Sequence, residues 1–131
     1  MKFINKYKSP NFNKRKKGSS IDYIIIHYTA IEDYKKSLLH LCNRKKAVSS
    51  HFLINKLGKI YKLVDINKRA WHAGKAYWKG LIDMNSESIG IELDNTGHHL
   101  KFEQYPQKQI NSLFFLIRYI KKKYHINKKN I

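Results

Sequence analysis

The sequence has little cysteine, few acidic residues and no long apolar segment, and each shortage excludes a class of protein. Its one cysteine, Cys42, cannot form an internal disulfide or contribute to a metal site built on paired cysteines. No apolar run approaches the ~20 residues of a membrane-spanning helix, so we predict no transmembrane segment. Charge returns at Lys6 before any apolar signal region develops, and we therefore expect a cytoplasmic protein.

The acidic residues are far outnumbered, with 9 Asp and Glu against 27 Lys and Arg and a net charge of +18. Such an excess raises the possibility of a nucleic-acid or anionic partner. The lysines, however, lie in scattered runs mixed with asparagine and isoleucine, a pattern that biased base composition also produces. We expect no specific nucleic-acid partner, and nucleic-acid binding ranks as the weakest of three functional hypotheses.

The length of 131 residues and the 42% hydrophobic content predict one folded domain, which we expect to be a monomer. Residues 1–20 are polar and basic, and we interpret them as an irregular N-terminal arm. Residues 21–131 alternate strand and helix patterns, which predicts an α/β fold with a mixed central β-sheet flanked by helices. The predicted strands are 22–28, 48–55, 59–64 and 88–93, and the predicted helices are 31–44 and 106–124.

The predicted strand at residues 22–28 contains a continuous run of β-branched residues and reaches His27 near its end. Its apolar continuity predicts a strand buried on both faces. Open α/β sheets bind ligands at the carboxyl ends of such strands, so His27 is a candidate functional residue. A histidine whose ring is satisfied by backbone groups is the alternative.

Glu92 is a carboxylate within the otherwise apolar strand at 88–93. A buried carboxylate is costly unless it is paired, protonated or coordinated. Burial also raises its pKa toward neutrality, which suits a general base. The alternative is a structural ion pair with a lysine or arginine.

Residues 69–74 combine Arg69, Trp71 and His72 with small residues that let a backbone approach a ligand closely. The indole offers a stacking surface, the imidazole a polar contact and the guanidinium an anion clamp. A structural loop around a packed tryptophan is the alternative. The remaining histidines outside these motifs are expected on the surface, namely His40, His98, His99 and His125.

Four segments, at residues 27–30, 49–52, 69–74 and 85–93, together resemble the zinc-dependent N-acetylmuramoyl-L-alanine amidases. That family is related to the phage T7-type lysozyme amidases and to the peptidoglycan recognition proteins. The resemblance runs in order from about residue 9 to the end of the sequence. It implies an amidase-like fold and hydrolysis of the amide between N-acetylmuramic acid and L-alanine, with peptidoglycan or muropeptides as substrate.

The resemblance also implies roles for particular residues. His27 would be a zinc ligand, and Glu92 would activate the zinc-bound water. A substrate groove would be lined by Arg69, Trp71, His72, His51 and Asn95.

The resemblance is incomplete at the C-terminal end. The family takes two further zinc ligands, a histidine and an aspartate, from a segment after the last helix, and this sequence reaches Ile131 where that segment would begin. We therefore expect a C-terminally incomplete domain with an incomplete zinc site and impaired hydrolysis. The alternative is a non-catalytic module that binds peptidoglycan or muropeptides.

Overall fold

The computed structural model describes residues 2–74, 80 and 83–131. Seven strands lie within this part of the chain: β1 (Phe3–Ile4), β2 (Phe12–Lys14), β3 (Tyr23–Tyr28), β4 (Phe52–Ile54), β5 (Ile60–Lys62), β6 (Lys68–Ala70) and β7 (Ser88–Leu93). The same part contains the helices α1 (Tyr34–Leu41), α2 (Met84–Glu87) and α3 (Gln107–Tyr124). Single 3₁₀ turns form at Arg44–Lys46, His98–Leu100 and Lys128–Asn130.

The main sheet has five strands in the order β1-β5-β4-β7-β3. β7 pairs in parallel with β3 and β4, β1 pairs in parallel with β5, and β4 and β5 form an antiparallel hairpin. The prediction of a mixed sheet flanked by helices is therefore confirmed. β2 and β6 form a separate antiparallel pair.

The two faces of the main sheet bury separate apolar clusters. α3 covers one face with Leu116 and Ile120, which pack with Ile89 and Ile91 of β7. α1 covers the other face only in part, because Leu38 and Leu41 pack with residues of β4 and β5. Among the described residues, neither β3 nor β7 contributes a side chain to this second cluster. Within the described ranges, no helix combines the length and apolarity needed to cross a bilayer.

β3 is an edge strand, so the prediction that it is buried on both faces is wrong. Ile24 is 2% exposed, but Ile26 is 39% exposed and Tyr28 is 48% exposed. A continuous apolar run indicates burial in general but does not fix where the strand lies within the sheet. Here β7 lies in the interior of the sheet between β4 and β3, and β3 has β7 as its neighbour.

The N-terminal residues are more regular than the predicted irregular arm. β1 pairs with β5, where the rings of Phe3 and Phe52 lie 5.5 Å apart, and β2 pairs with β6. Segments of two or three residues carry almost no strand signal of their own, because the partner strand supplies their hydrogen bonds. The boundary between arm and domain at residue 20 stays a prediction.

Adjacent leucines on α1 provide a matched test of this packing. Leu38 is 0% exposed and Leu39 is 66% exposed. We expect Leu38→Ala to lower the free energy of unfolding by about 2–5 kcal/mol, because it leaves a cavity between α1 and the sheet. Leu39→Ala should change it by less than about 0.5 kcal/mol. Urea unfolding of both variants checks this expectation, and equal losses would contradict the described packing of α1.

Candidate functional site

The floor of the candidate site lies on the two neighbouring parallel strands β3 and β7. His27 and Glu92 are direct partners in the register of this pair. Partners in a parallel ladder point to the same face of the sheet, so the two side chains lie side by side. The face is the one that α1 covers only in part, since Leu53, the partner of Glu92 on β4, packs under α1.

Glu92 is half-buried, and its carboxylate has no stabilising partner among the described residues. Its Oε2 atom is inaccessible and accepts no hydrogen bond from the described residues. None of the ion pairs found in the described part of the chain involves Glu92, so the alternative of a structural ion pair gains no support. Desolvation raises the pKa of Glu92 to about 7. A carboxylate with such a pKa can both accept and return a proton near neutral pH.

A cavity of about 180 Å³ opens beside Glu92. Its lining mixes apolar side chains with hydroxyl and imidazole groups, as is typical of small-molecule sites. The other lining residues are Thr29, Ile31, Ser37, His40, Leu41 and Val48. His40, which the sequence pattern placed on the surface, therefore faces this cavity, while His98, His99 and His125 are exposed as expected.

His72 lies against His27. Nε2 of His27 and Nδ1 of His72 are 2.9 Å apart, and Nε2 of His72 is 3.1 Å from Oγ of Ser88. The amide oxygen of Asn85 holds this segment by accepting bonds from the backbone N–H groups of His72 and Ala73, at 3.0 and 2.9 Å. Burial lowers the pKa of His27 and, more strongly, that of His72, so both rings are neutral at neutral pH.

Arg69 and Trp71 already have partners within the chain. The guanidinium of Arg69 binds both carboxylate oxygens of Asp83, with nitrogen–oxygen distances of 2.9 to 3.2 Å. Nε1 of Trp71 donates to the side-chain oxygen of Asn13 at 3.1 Å. The predicted role of Arg69 as a clamp for a substrate carboxylate therefore requires that its ion pair with Asp83 opens.

His51 and Asn95 are 0% and 1% exposed, so they do not line a groove as the sequence predicted. Nδ1 of His51 accepts from the N–H of Gly90 at 3.0 Å, and Nε2 donates to the carbonyl of Lys68 at 2.9 Å. Burial lowers the pKa of His51 to about 3. Asn95 donates to the carbonyl of Glu103 at 2.8 Å. Both side chains therefore bind backbone groups beneath the site. The sequence motifs include these two residues but do not specify where their side chains point.

The sequence analysis missed Arg15, which it left within the basic arm. Its guanidinium donates to four backbone carbonyls, those of Ile66, Asn85, Ser86 and Ser88, at distances of 2.7 to 3.2 Å. Burial lowers the pKa of Arg15 to about 10, which leaves it charged. Its surroundings of lysines gave no signal of this role. Arg15 therefore anchors the N-terminal strands to the start of β7.

The described residues do not complete a zinc site. Within the described ranges, no group of three or more His, Cys, Asp or Glu side chains is placed to hold a metal ion. A catalytic zinc centre needs three protein ligands and an open position. Among the predicted site residues, His27 is the one candidate ligand.

This fold is that of a class of N-acetylmuramoyl-L-alanine amidases. The chain belongs to the N-acetylmuramoyl-L-alanine amidase family, whose Amidase_2 model matches residues 17–131. Members of this family are generally zinc-dependent.

Two relatives illustrate the similarity in sequence. The chain is 37% identical over 123 residues to the N-acetylmuramoyl-L-alanine amidase AmiD of Escherichia coli K12, covering 85% of this chain and 44% of AmiD. It is 30% identical over 133 residues to the 1,6-anhydro-N-acetylmuramyl-L-alanine amidase AmpD of Haemophilus influenzae, covering 88% of this chain and 70% of AmpD. The chain thus spans less than half the length of the first of these relatives.

Two solved structures illustrate the similarity in fold. E. coli AmiD in complex with anhydro-N-acetylmuramic acid-L-Ala-D-γ-Glu-L-Lys matches with a TM-score of 0.76 and 32% identity, over 90% of this chain and 50% of that chain. AmpDh3 of Pseudomonas aeruginosa in complex with anhydromuramic pentapeptide matches with a TM-score of 0.76 and 30% identity, over 98% of this chain and 54% of that chain.

The raised pKa of Glu92 predicts a pH-dependent effect of Glu92→Gln on stability. The pKa is about 7 in the folded chain against an ordinary value of 4.5, so the folded state binds the proton more tightly than the unfolded state. The carboxylate therefore lowers the stability of the fold as the pH rises through this range. In metal-free buffer, we expect Glu92→Gln to match wild type at pH 4 and to exceed it by up to about 3 kcal/mol at pH 8.

Urea unfolding of both proteins at the two pH values measures this effect. Glu32→Gln is the matched control, because the side chain of Glu32 is 66% exposed. Its difference from wild type should be small at both pH values, because an exposed ion pair contributes little to stability. A Glu92→Gln difference that does not change with pH would show that the carboxyl is not perturbed by burial.

Proposed function

We propose that this chain binds N-acetylmuramoyl-peptides, either in peptidoglycan or as soluble fragments, and that Glu92 carries the proton in hydrolysis of the amide between the lactyl group and L-alanine. The observation that carries the proposal is the half-buried Glu92 carboxylate beside His27, whose inaccessible Oε2 atom has no hydrogen-bond partner among the described residues, in a chain of the amidase family. The complexes of AmiD and AmpDh3 with anhydromuramyl peptides support this class of ligand.

The residues around Glu92 suit this proton-transfer role. With a pKa of about 7, the carboxyl is close to half-ionised at neutral pH, where a general base works best. The cavity beside it brings a small substituent of a ligand within reach of the carboxylate. The apolar side chains of Ile31, Leu41 and Val48 on the wall of this cavity offer the carboxylate no polar partner, in keeping with the desolvation that raises its pKa.

A non-catalytic muropeptide-binding module is the second candidate function. It is favoured by the single candidate zinc ligand among the described residues, His27, where a catalytic centre needs three. Both candidate functions use the cavity beside Glu92, and they differ in whether the bound amide is cleaved.

Binding and cleavage of synthetic anhydro-N-acetylmuramoyl-L-Ala-D-γ-Glu-L-Lys separate these candidates. We expect wild type to bind the peptide and to release the free tripeptide slowly, because the described residues offer one candidate zinc ligand where a catalytic centre needs three. Glu92→Gln should bind within about twofold of wild type but cleave at least about 100-fold more slowly, because the proton carrier is lost. Calorimetry measures binding, and chromatography of the products measures cleavage.

Glu32→Gln is the control for this experiment, since its exposed carboxylate pairs with Lys36 and does not line the cavity. It should bind and cleave as wild type does. Binding without product in wild type would favour the binding module. The absence of both binding and product would overturn both candidate functions.

The zinc content of the purified protein tests the expectation that its zinc site is incomplete. We expect the purified 131-residue chain to retain far less than one zinc per molecule after dialysis, because one histidine supplies a small part of the affinity of a full site. His27→Ala and the exposed control His125→Ala should not differ from wild type in elemental analysis. About one zinc per chain, lost selectively in His27→Ala, would instead show that further ligands complete the centre.

A further inference from the structure

The ring of His72 lies in a space that the backbone of β7 leaves open. A Cβ atom placed on Gly90 would lie 2.5 Å from Cγ of His72, closer than any real contact of this kind, so a glycine is required there. The bonds from Asn85 to the backbone of His72 and Ala73 hold the ring in this space. The position of His72 is therefore set by groups on two other parts of the chain.

The donor and the acceptor in each hydrogen bond of His72 follow from whether its partners can donate or only accept. The hydroxyl of Ser88 donates to the carbonyl of Met84, which can only accept. Oγ of Ser88 must then accept from His72, whose Nε2 carries the hydrogen. Nδ1 of His72 is consequently the unprotonated nitrogen, and it accepts from Nε2 of His27.

We propose that His72 is a positioning residue that holds His27 in the tautomer protonated at Nε2. Nδ1 of His27 is then the nitrogen that keeps its lone pair, and no described group donates to it. The series Met84 carbonyl, Ser88 hydroxyl, His72 ring and His27 ring fixes both the orientation and the tautomer of His27. Second-neighbour hydrogen bonds commonly orient a functional histidine in this way.

The inference gives His72 a different role from the direct ligand contact expected from the sequence. Both ring nitrogens of His72 are engaged, by His27 at 2.9 Å and by Ser88 at 3.1 Å. Neither nitrogen is therefore free to bind a muropeptide while the series is intact. The consequence for catalysis or binding rests on the proposed function of the groove, but the tautomer of His27 does not.

Nuclear magnetic resonance of the protein labelled with ¹⁵N-histidine reads the proposed bond directly. At pH 7.5, with both rings neutral, we expect a scalar coupling across the hydrogen bond between Nε2 of His27 and Nδ1 of His72. The Nε2 proton should be assigned to His27, and Nδ1 of His27 should show the shift of an unprotonated nitrogen. The absence of this coupling, or a proton on Nδ1 of His27, would overturn the inference in the wild-type protein alone.

Two variants test whether the series maintains the bond. Ser88→Ala removes the acceptor that fixes His72, and Gly90→Ala displaces the ring without changing any hydrogen-bonding side chain. We expect at least one of them to lose the coupling and to exchange the Nε2 proton of His27 with water about fivefold faster or more. Retention of the coupling in both variants would overturn the inference.

Ser112→Ala is the matched control, because it also removes a buried serine that donates to a backbone carbonyl, here that of Gly58 at 2.6 Å. Ser112 lies on α3, on the opposite face of the sheet, so the coupling should persist. Coupling without muropeptide binding would leave the inference standing and reject the proposed function. Muropeptide binding or cleavage without the coupling would do the reverse.

Discussion

The structure depends on one constraint, which is that the interior strand β7 buries a polar face. Its apolar residues Ile89, Ile91 and Leu93 pack against α3, as in any core. The opposite face carries small and polar residues, namely Ser88, Gly90 and Glu92. Buried polar groups are costly unless they are hydrogen-bonded, so the surrounding elements must provide partners for this face.

Several segments around β7 supply hydrogen-bond partners for its polar groups. His51 accepts from the N–H of Gly90, His72 donates to Ser88, and Arg15 donates to the carbonyl of Ser88. These partners come from three distant parts of the chain. Oε2 of Glu92 has no such partner among the described residues. Polar atoms that are inaccessible and lack a hydrogen-bond partner are concentrated at functional sites. For this reason the proposed function centres on Glu92.

The half-buried position of Glu92 on β7 connects membership of the amidase family with the proposed proton transfer. A carboxyl whose pKa lies near 7 is useful for moving a proton, and the chain belongs to a family of amidases. His27 lies beside that carboxyl with its orientation set through His72. The described residues thus place the proposed proton carrier beside one histidine, whereas they supply a single candidate ligand for zinc.

The sequence by itself determined the features that depend on local pattern. It identified the strand that carries Glu92, the β4–β5 hairpin, the mixed sheet and the long helix α3, because hydrophobic periodicity and turn residues act over a few positions. It also identified Glu92 as a carboxylate within an apolar strand, which the structure finds half-buried, and His27 as a residue near a strand end, since an isolated polar residue in an apolar run is visible without a structure.

Only the tertiary structure decided which strand lies at the edge and where each side chain points. The edge position of β3, the burial of His51 and Asn95, and the anchoring role of Arg15 all depend on contacts between residues far apart in sequence. The contact between His27 and His72 joins residues 45 positions apart. A local pattern specifies which residues prefer burial, but strand pairing and side-chain packing specify what they meet there, and those depend on the whole fold.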